Sequence, residues 1–593
     1  MVDPRIYRAG IALVVIGVIV FAFSLFGQPG ATSTTLVPGG FFGGAVKTAR
    51  ALAHDYPDRT PGSPGDVALA RHLAAVLTSK RVPGFTVSTR SQVVETAVGH
   101  RSLKTVTATR PGNGPGTIVI VSHRDGTGAA DMSGTAVMLG LAHALSGQTL
   151  HRSVTLVSVS GQIGAAGATA LAHTLAGRAV DAVLLLGNLA GATLHRPLVV
   201  PWSDGDLVAP LQLRNTVSRA VSKEANLNSG TYGIGAQFAH LAFPFTLTEQ
   251  GPVVSAGIPA VLLSTSGDRV TPARAPLGTA AQVESLGKAV LQTVDALDTG
   301  PRMPAPSTYL LVSRMVVPEW AVRLLVLALI LPIALVTVDA LARARRRRHS
   351  TARWIAWVLT GAVPFLLGLV AVLVARATGA LSATPPGALG ASGVPITGGD
   401  TAVLAIVAVL IVVGFVWVRP MLVRALSRPL HVGPRPESPP ADGAAVALSV
   451  VMCALALAMW VVNPFAAALL AVALHAWIWL AQPEVRARRP LVLALPLIGI
   501  IPALAVFLFY IDAYGLSPLH FFWSVTLMVA SGQLVGMGIY WCVALGCFAS
   551  AVVIALRAAR ADSGAGEPVV TSRGPVSYAG PGSLGGTQSA LRR

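Results

Sequence analysis

Long apolar runs lie near the start of the chain and throughout its C-terminal half. The first run covers residues 11–26, whereas residues 30–312 contain no stretch long and apolar enough to span a membrane. An α-helix needs about 20 apolar residues to cross a typical bilayer. The pattern predicts further spans at 319–342, 353–375, 401–418, 443–461, 464–481, 490–511 and 536–556. We interpret segment 517–534 as a re-entrant or interfacial helix before the last span.

The first apolar run is open to two interpretations. It follows Arg5 and Arg8, and it ends in Phe-Gly-Gln-Pro-Gly without a clear small-x-small cleavage site. We therefore expect an uncleaved membrane anchor, and a cleaved signal peptide is the alternative. Either interpretation places the residues that follow outside the cytoplasm.

The polar region between the anchor and the later spans alternates strand-like and helix-like patterns. Apolar strands are predicted at 117–122, 154–160, 182–186 and 260–264, and helices at 66–79, 133–145, 168–176 and 280–297. This alternation predicts an α/β domain with a mixed, largely parallel sheet. Functional groups in such folds gather at the carboxyl ends of the strands. The polar or small residues at those ends are His123, Asp125, Gly161, Gln162 and Asn188.

The composition is that of a membrane protein with an added folded domain. Hydrophobic residues make up 53% and charged residues 12% of the chain, against about 25% charged residues in soluble proteins. This excludes a soluble enzyme and a disordered chain. The three cysteines, Cys453, Cys542 and Cys547, all lie in the apolar half, so the polar region has no disulfide and no thiolate metal site.

The arginines predict the orientation of the chain. The net charge is +19, but many arginines lie in loops between spans, where they act as topology signals rather than as a nucleic-acid surface. We expect both termini in the cytoplasm. The predicted domains are an anchor at 1–28, an extracytoplasmic domain at 29–312, a membrane domain of about seven further spans at 313–560 and a disordered cytoplasmic tail at 561–593. The arginine-rich loops contain Arg343, Arg345, Arg346, Arg347, Arg348 and Arg353, then Arg419, Arg424, Arg428 and Arg435, then Arg486, Arg488 and Arg489.

Few ionisable residues fall inside the predicted spans, where they are functional candidates by default. Asp339 is expected to pair with Arg343, one helical turn later. His475 is interpreted as a neutral histidine bonded to a neighbouring helix. Gln533 lies at the break before the last span.

Five motifs in the polar region resemble those of the di-zinc aminopeptidase fold of the zinc exopeptidase superfamily, and they occur in family order. That resemblance implies a three-layer α/β domain. The motifs are Arg59 to Gly65, similar to the leader R-x-x-G-S-x-G; His123 to Asp125, similar to H-x-D; Gly128 to Gly134, similar to G-A-D-D-x-x-S-G but one residue shorter; Ser160 to Gly167, in the frame of E-E-x-G-x-x-G; and Ala256 to Ala260, matching A-G-I-P-A.

The same resemblance implies a pair of zinc ions, but most of the family's ligands are replaced. His123 matches the first histidine ligand, Asp125 the aspartate that orients it, and Asp131 the bridging aspartate. The family's two glutamates, a general base and a ligand, fall on Gly161 and Gln162. Glycine has no side chain that accepts a proton, and a neutral amide is a poor base and a poor zinc ligand.

Two further ligand positions have also changed. The family's next aspartate falls on Asn188, and its last histidine falls on Val270. We therefore expect no zinc or other cofactor, with His123 and Asp125 kept as a hydrogen-bonded pair and Asp131 as the N-cap of the helix that follows. The alternative is a rebuilt zinc site, to which Glu249 is the candidate contributor because it lies near the cleft.

The order of parts is similar to that of the membrane-embedded attachment subunit of the eukaryotic glycosylphosphatidylinositol transamidase, which also joins one anchor, a large aminopeptidase-like domain and several further spans. This resemblance implies a non-catalytic pseudoenzyme in the cell membrane that binds a membrane protein or a lipid-linked partner, and no nucleic acid. Two alternatives stay open: a membrane-anchored zinc aminopeptidase with a rebuilt site, and a membrane-domain function such as lipid translocation that depends on His475 or Gln533.

Overall fold

The computed structural model describes residues 4–33, 40–96, 99–126, 128–162, 164–271, 275–313, 315–347, 350–381, 396–427, 442–482, 485 and 488–564. Most of the predicted disordered tail, residues 565–593, lies outside these ranges. Arg348, Arg428, Arg435 and Arg486 of the predicted topology loops also lie outside them.

A seven-stranded mixed sheet forms the centre of the polar domain, with strand order β1-β2-β4-β3-β5-β7-β6. The four central strands β4, β3, β5 and β7 are parallel, while β1, β2 and β6 pair antiparallel at the edges. This confirms the predicted mixed, largely parallel α/β fold. The strands are β1 Thr86–Thr96, β2 Gly99–Arg110, β3 Thr117–His123, β4 Ser153–Val159, β5 Val180–Leu186, β6 Val199–Val200 and β7 Ala260–Leu263.

Helices cover both faces of this sheet. The chain runs from β3 through α4 to β4 on one side of β3, and then from β4 through α5 to β5 on the other side. Because both crossovers are expected to be right-handed, opposite directions of travel place α4 and α5 on opposite faces. The helices are α1 Pro4–Phe23, α2 Ala45–Asp55, α3 Pro64–Thr78, α4 Ser133–Leu145, α5 Ala166–Leu175, α6 Leu211–Ala225, α7 Ile234–Ala242, α8 Gln250–Ser255 and α9 Ala280–Thr299.

Apolar helices form the second part of the molecule. Among the described residues, eight helices are long and apolar enough to cross a membrane, and they match the predicted anchor and seven later spans. The helix at 518–530 is too short to count among them. The later helices are α10 Glu319–Arg346, α11 Thr351–Thr360, α12 Val363–Ala377, α13 Gly398–Val413, α14 Arg419–Ser427, α15 Asp442–Val462, α16 Pro464–Trp477, α17 Arg489–Tyr514, α18 Pro518–Ala530 and α19 Val535–Gly564.

The anchor α1 packs directly on α10. The backbone at Gly10 is so close to Pro332 that an added Cβ would lie 2.7 Å from its side chain, and Gly17 approaches Ala328 in the same way. Small residues permit this close helix packing in membranes. His475 of α16 lies 3.0 Å from the Tyr7 hydroxyl of α1, so the prediction that it bonds to a neighbouring helix is confirmed.

A short hairpin leads the chain from the α/β domain into α10. Its strands, β8 Tyr309–Val312 and β9 Met315–Pro318, were not predicted, and they run across the predicted boundary at residue 312. Phe26, just after the anchor, forms a β-bridge with Val316 of β9. The segment that follows α1 and the strand that precedes α10 are therefore paired with each other next to those helices.

Candidate functional site

The carboxyl ends of the central strands bring the predicted site residues to one edge of the sheet. His123 is the last residue of β3, which lies between β4 and β5. Gly161 and Gln162 follow β4, and Asn188 follows β5. The convergence expected from the alternating pattern is confirmed by the strand order.

The histidine at this edge pairs with a glutamate from a distant segment. His123 Nδ1 lies 3.0 Å from Glu249 Oε2, and both side chains are buried. The prediction of a hydrogen bond between His123 and Asp125 is therefore wrong. Nδ1 of His123 is bonded to Glu249, and Asp125 is bonded to the loop after β4. The sequence placed Glu249 near the cleft but did not assign it this role.

Asp125 instead fixes the loop that follows β4. Its Oδ2 accepts a hydrogen bond of 2.8 Å from the backbone N–H of Gln162. The preceding residue, Gly161, has φ +89°, a backbone conformation that favours glycine because a Cβ is strained there. The position where the resemblance expects a general base thus has neither a side chain nor a backbone suited to one.

Asp131 is not the N-cap of α4, contrary to expectation. The cap position is Met132, which makes no side-chain capping bond. The carboxylate of Asp131 instead accepts a hydrogen bond of 3.1 Å from the backbone N–H of Gly128, which precedes it in the chain. The chain is already helical at Met132 (φ −77°, ψ −6°), so Asp131 lies one residue too early to reach the free N–H groups of the first turn.

The remaining two ligand positions are occupied by groups with local structural roles. Asn188 donates through Nδ2 to Ser266 Oγ at 3.1 Å and accepts the backbone N–H of Ala190 at 3.0 Å. Val270, at the position of the family's last histidine, is buried. Asn188 therefore joins the loops after β5 and β7, and Val270 belongs to a hydrophobic cluster.

Sequence reasoning missed a buried ion pair that supports this edge. Arg124 Nε lies 2.7 Å from Asp66 Oδ1, and both side chains are fully buried. Arg124 also donates to the Ser158 carbonyl at 3.1 Å, while Asp66 accepts the backbone N–H of Gly62 at 3.0 Å. An ion pair therefore connects the H-x-D motif to the residue that follows the leader motif. The sequence signal for this ion pair was Arg124, at the variable position of H-x-D, together with Asp66, directly after the leader motif.

Mutual charge effects shift the pKa values of the buried groups. Burial lowers the pKa of His123, but the negative charges of Glu249, Asp125 and Asp131 outweigh burial and raise it to about 9. Burial raises the pKa of Asp125 to about 6, although the charge of His123 opposes this. The pKa of Asp131 is also raised by burial. The cluster therefore holds a charged imidazolium among carboxyl groups at neutral pH.

The residues at this edge do not fit a zinc pair. Within the described ranges, no three His, Cys, Asp or Glu side chains are grouped so that they could hold a metal ion. His123 offers only Nε2, since Nδ1 is bonded to Glu249. A carboxylate at Nδ1 is itself compatible with a metal at Nε2, so the misfit rests on Gly161, Gln162, Asn188 and Val270, which supply neither a carboxylate nor an imidazole.

The apolar helices cover the carboxyl edge of the sheet. Arg269, in the loop after β7, donates from Nε to the Ala513 carbonyl at 2.8 Å, at the end of α17. The hydroxyls of Tyr510 and Tyr514 on α17 donate to the Phe243 and Phe245 carbonyls at 2.6 and 2.7 Å. Because segment 243–249 also carries Glu249, a short stretch of chain links α17 to His123.

The described residues enclose a small and a larger cavity beside this edge. The one beside Gln162, Asn188 and Glu249 measures about 20 Å³, which is room for about one water molecule. The other measures about 350 Å³ and lies between α5, the loop after β6 and the turn that contains Gln533. Asp204 lines it, and burial raises the pKa of that carboxyl group to about 7.

Comparison with known proteins finds likenesses in structure only. No protein-family model matches the chain. No curated protein sequence matches it either. The chain is similar to solved structures of a glutaminyl cyclase from an Acidobacteriales bacterium (18% identity, 46% of this chain and 99% of that chain, TM-score 0.34) and a Zn-dependent exopeptidase from Parabacteroides distasonis (14%, 44% and 99%, 0.35). It is also similar to a leucine aminopeptidase precursor from Bacteroides thetaiotaomicron (13%, 44% and 99%, 0.35). Likenesses of this size assign neither an activity nor a site to this chain.

Proposed function

We propose that this protein is a non-hydrolytic membrane component whose α/β domain serves binding or complex assembly. The observation that carries the proposal is the covered carboxyl edge of the sheet, where Arg269 and segment 243–249 are bonded to α17. An exopeptidase must admit the end of a peptide at its metal site, and a cavity of about 20 Å³ is too small for one residue of a peptide.

The chemistry of the site supports the same proposal. Metal-assisted hydrolysis needs an activated water, a general base and a Lewis acid in one place. Gly161 cannot take a proton, and His123 is protonated and bonded to Glu249. The charged groups hold the loops at this edge in place, which suits a binding domain.

The larger cavity at the junction is the candidate binding surface. It is lined by groups from both parts of the molecule, among them His173 of α5, Asp204 and Gln533. Its position between the α/β domain and the apolar helices suits a membrane protein or a lipid-linked partner. The order of parts shared with the glycosylphosphatidylinositol transamidase attachment subunit favours this kind of partner without naming the molecule.

The proposal is tested in native membranes with the full chain. A photoreactive amino acid at Gln533 is expected to form adducts with a membrane protein or a lipid-linked molecule. The matched control places the same group at Lys80, which is exposed on the α/β domain and lies outside the cavity lining. Equal labelling at both positions would contradict a binding role for the cavity.

A hydrolysis assay on the purified protein tests the rival function. The purified full chain, incubated with zinc, is given aminoacyl-anilide substrates alongside the His123→Ala variant. We expect no turnover that depends on His123. Turnover that is lost in the variant would establish the zinc aminopeptidase alternative.

A further inference from the structure

A further cavity is lined by residues outside the carboxyl edge of the sheet. It measures about 1130 Å³ and is bounded by the linker after the anchor, helix α6, the loop 226–232 and strand β8. None of its lining residues belongs to the cluster around His123 or to the small cavity beside Glu249.

A buried arginine, one of whose donor atoms lacks an acceptor among the described residues, lines this cavity. Arg214 of α6 is only 4% exposed, and its Nη2 is buried with no hydrogen-bond partner among the described residues. The guanidinium lies 5.5 Å from the ring centre of Tyr232. The hydroxyl of Tyr232 donates a hydrogen bond of 2.6 Å to Asp268. A buried charge without a hydrogen-bonded partner is strongly unfavourable, so this arrangement favours an anion as the missing acceptor.

The lining of the cavity has the composition of an anion site. Among the described residues, the lining contains Arg214 and Arg219 and no aspartate or glutamate. Hydroxyl and amide side chains, including those of Ser218 and Asn228, make up much of the remainder. Arginine binds phosphate oxygens through its planar, forked donors, and the neighbouring hydroxyl and amide groups suit the polar part of a phosphate ester.

The cavity also lies where the chain meets the apolar helices. Gly27 and Gln28 of its rim follow the anchor, and Leu311 belongs to the hairpin that leads into α10. Trp320, in the first turn of α10, is 57% exposed, and tryptophan is enriched at membrane–water interfaces. The rim of the cavity is therefore close along the chain to the outer ends of α1 and α10, which favours a ligand that is found at a membrane surface.

We propose that this cavity binds a phosphate ester and that the guanidinium of Arg214 is its principal contact. The phosphate has two candidate sources with the same chemistry: the headgroup of an anionic phospholipid or a soluble phosphate ester. The inference does not depend on the proposed function, because none of the residues that line this cavity belongs to the covered edge of the sheet.

The experiment measures thermal unfolding of the full chain in detergent. Inorganic phosphate is compared with chloride at equal ionic strength, and phosphatidylglycerol in mixed micelles is compared with phosphatidylcholine. We expect phosphate or phosphatidylglycerol to raise the unfolding temperature of the unaltered protein by several degrees. Stabilisation by phosphate identifies a soluble ester as a sufficient ligand, and stabilisation by phosphatidylglycerol alone identifies the lipid headgroup.

The test variant is Arg214→Gln, and the matched control is Arg178→Gln, at an exposed arginine of the α/β domain. In chloride, Arg214→Gln is expected to be at least as stable as the unaltered protein, because it removes an uncompensated buried charge. It should lose the response to phosphate or phosphatidylglycerol, whereas Arg178→Gln should keep it. Equal responses in all three proteins, or no response in any, would overturn the proposal. A strong loss of stability of Arg214→Gln in chloride would also overturn it, since that result would mean that Arg214 is already satisfied by the protein.

Discussion

His123 Nδ1 and Glu249 Oε2 lie 3.0 Å apart across 126 positions of sequence. The pair joins the end of β3 to the segment that meets α17, so it connects the sheet to the apolar helices. The imidazole that the family resemblance assigns to a metal is here bonded to a carboxylate. The pair therefore gives His123 a structural role.

This pair makes stability depend on pH in a defined window. The folded-state pKa of His123 is raised to about 9, above the usual value of about 6.5. The pair's stabilisation is therefore complete below pH 6.5 and is lost as the pH rises through 9. The difference corresponds to at most about 3 kcal/mol. Thermal unfolding of the full chain, measured between about pH 6 and about pH 9.5, checks this prediction.

The matched variant for that measurement is Glu249→Gln. It keeps the shape of the side chain and removes the largest charge that raises the pKa of His123. We expect lower stability than in the unaltered protein at pH 6.5, and a flatter dependence between pH 6.5 and 9. If the stability of Glu249→Gln depends on pH as steeply as that of the unaltered protein, the pair does not cause the pH dependence.

The ion pair between Arg124 and Asp66 is expected to be among the most sensitive positions of the domain. Asp66→Asn leaves the guanidinium of Arg124 buried without its carboxylate, which typically costs about 3–5 kcal/mol. Reduced folding yield and a lower denaturant midpoint are the expected results. Asp58→Asn serves as the control, since that side chain is exposed. Equal effects of the two substitutions would contradict the structure.

Contacts of α17 are predicted to hold the α/β domain against the apolar helices. Tyr514→Phe removes the hydroxyl that bonds to Phe245 and is expected to cost about 1–2 kcal/mol and to speed proteolysis within segment 243–249. Tyr309→Phe removes a comparable buried hydrogen bond, to the Ala209 carbonyl, away from α17. It should lower overall stability without exposing segment 243–249. Identical cleavage patterns in the two variants would contradict the docking role.

Asp204 makes the stability of the protein depend on pH over a second, lower pH range. Its folded-state pKa is raised to about 7 by burial, above the usual value near 3.9. Folding therefore favours the protonated form, and stability falls as the pH rises between about 4 and 7. We expect Asp204→Asn to stabilise the protein at pH 8 by about 1–3 kcal/mol, and to have little effect at pH 4. Stabilisation that is equal at both pH values would contradict burial as the cause.

Much of the fold follows from periodicity, and much of the site does not. The apolar runs predicted each span found among the described residues, because length and hydrophobicity alone decide whether a helix can cross a bilayer. The central strands were predicted from short apolar runs, and their order brought His123, Gln162 and Asn188 together. Helices α6 and α7 and the hairpin at 309–318 were not predicted, since their patterns are mixed and their form depends on tertiary packing.

Predictions about individual hydrogen bonds failed for a related reason. The bond from His123 to Asp125 was expected from the resemblance to the H-x-D motif, but His123 Nδ1 is bonded to Glu249, which lies far away in sequence. The partnership of Arg124 with Asp66 likewise joins two motifs that sequence reasoning treated separately. In contrast, the ion pair of Asp339 with Arg343, at 2.8 Å, was predicted correctly because a helix places residues four apart on one face.

Zinc content of the full chain tests the central claim most directly. The protein is exposed to zinc during purification, freed of affinity-tag histidines and analysed by elemental mass spectrometry beside His123→Ala. The account predicts the same background zinc in both proteins, because Gly161, Gln162 and Asn188 supply no carboxylate or imidazole beside His123. At least one zinc ion per chain that is lost in His123→Ala would contradict it and would establish a metal site at the carboxyl edge of the sheet.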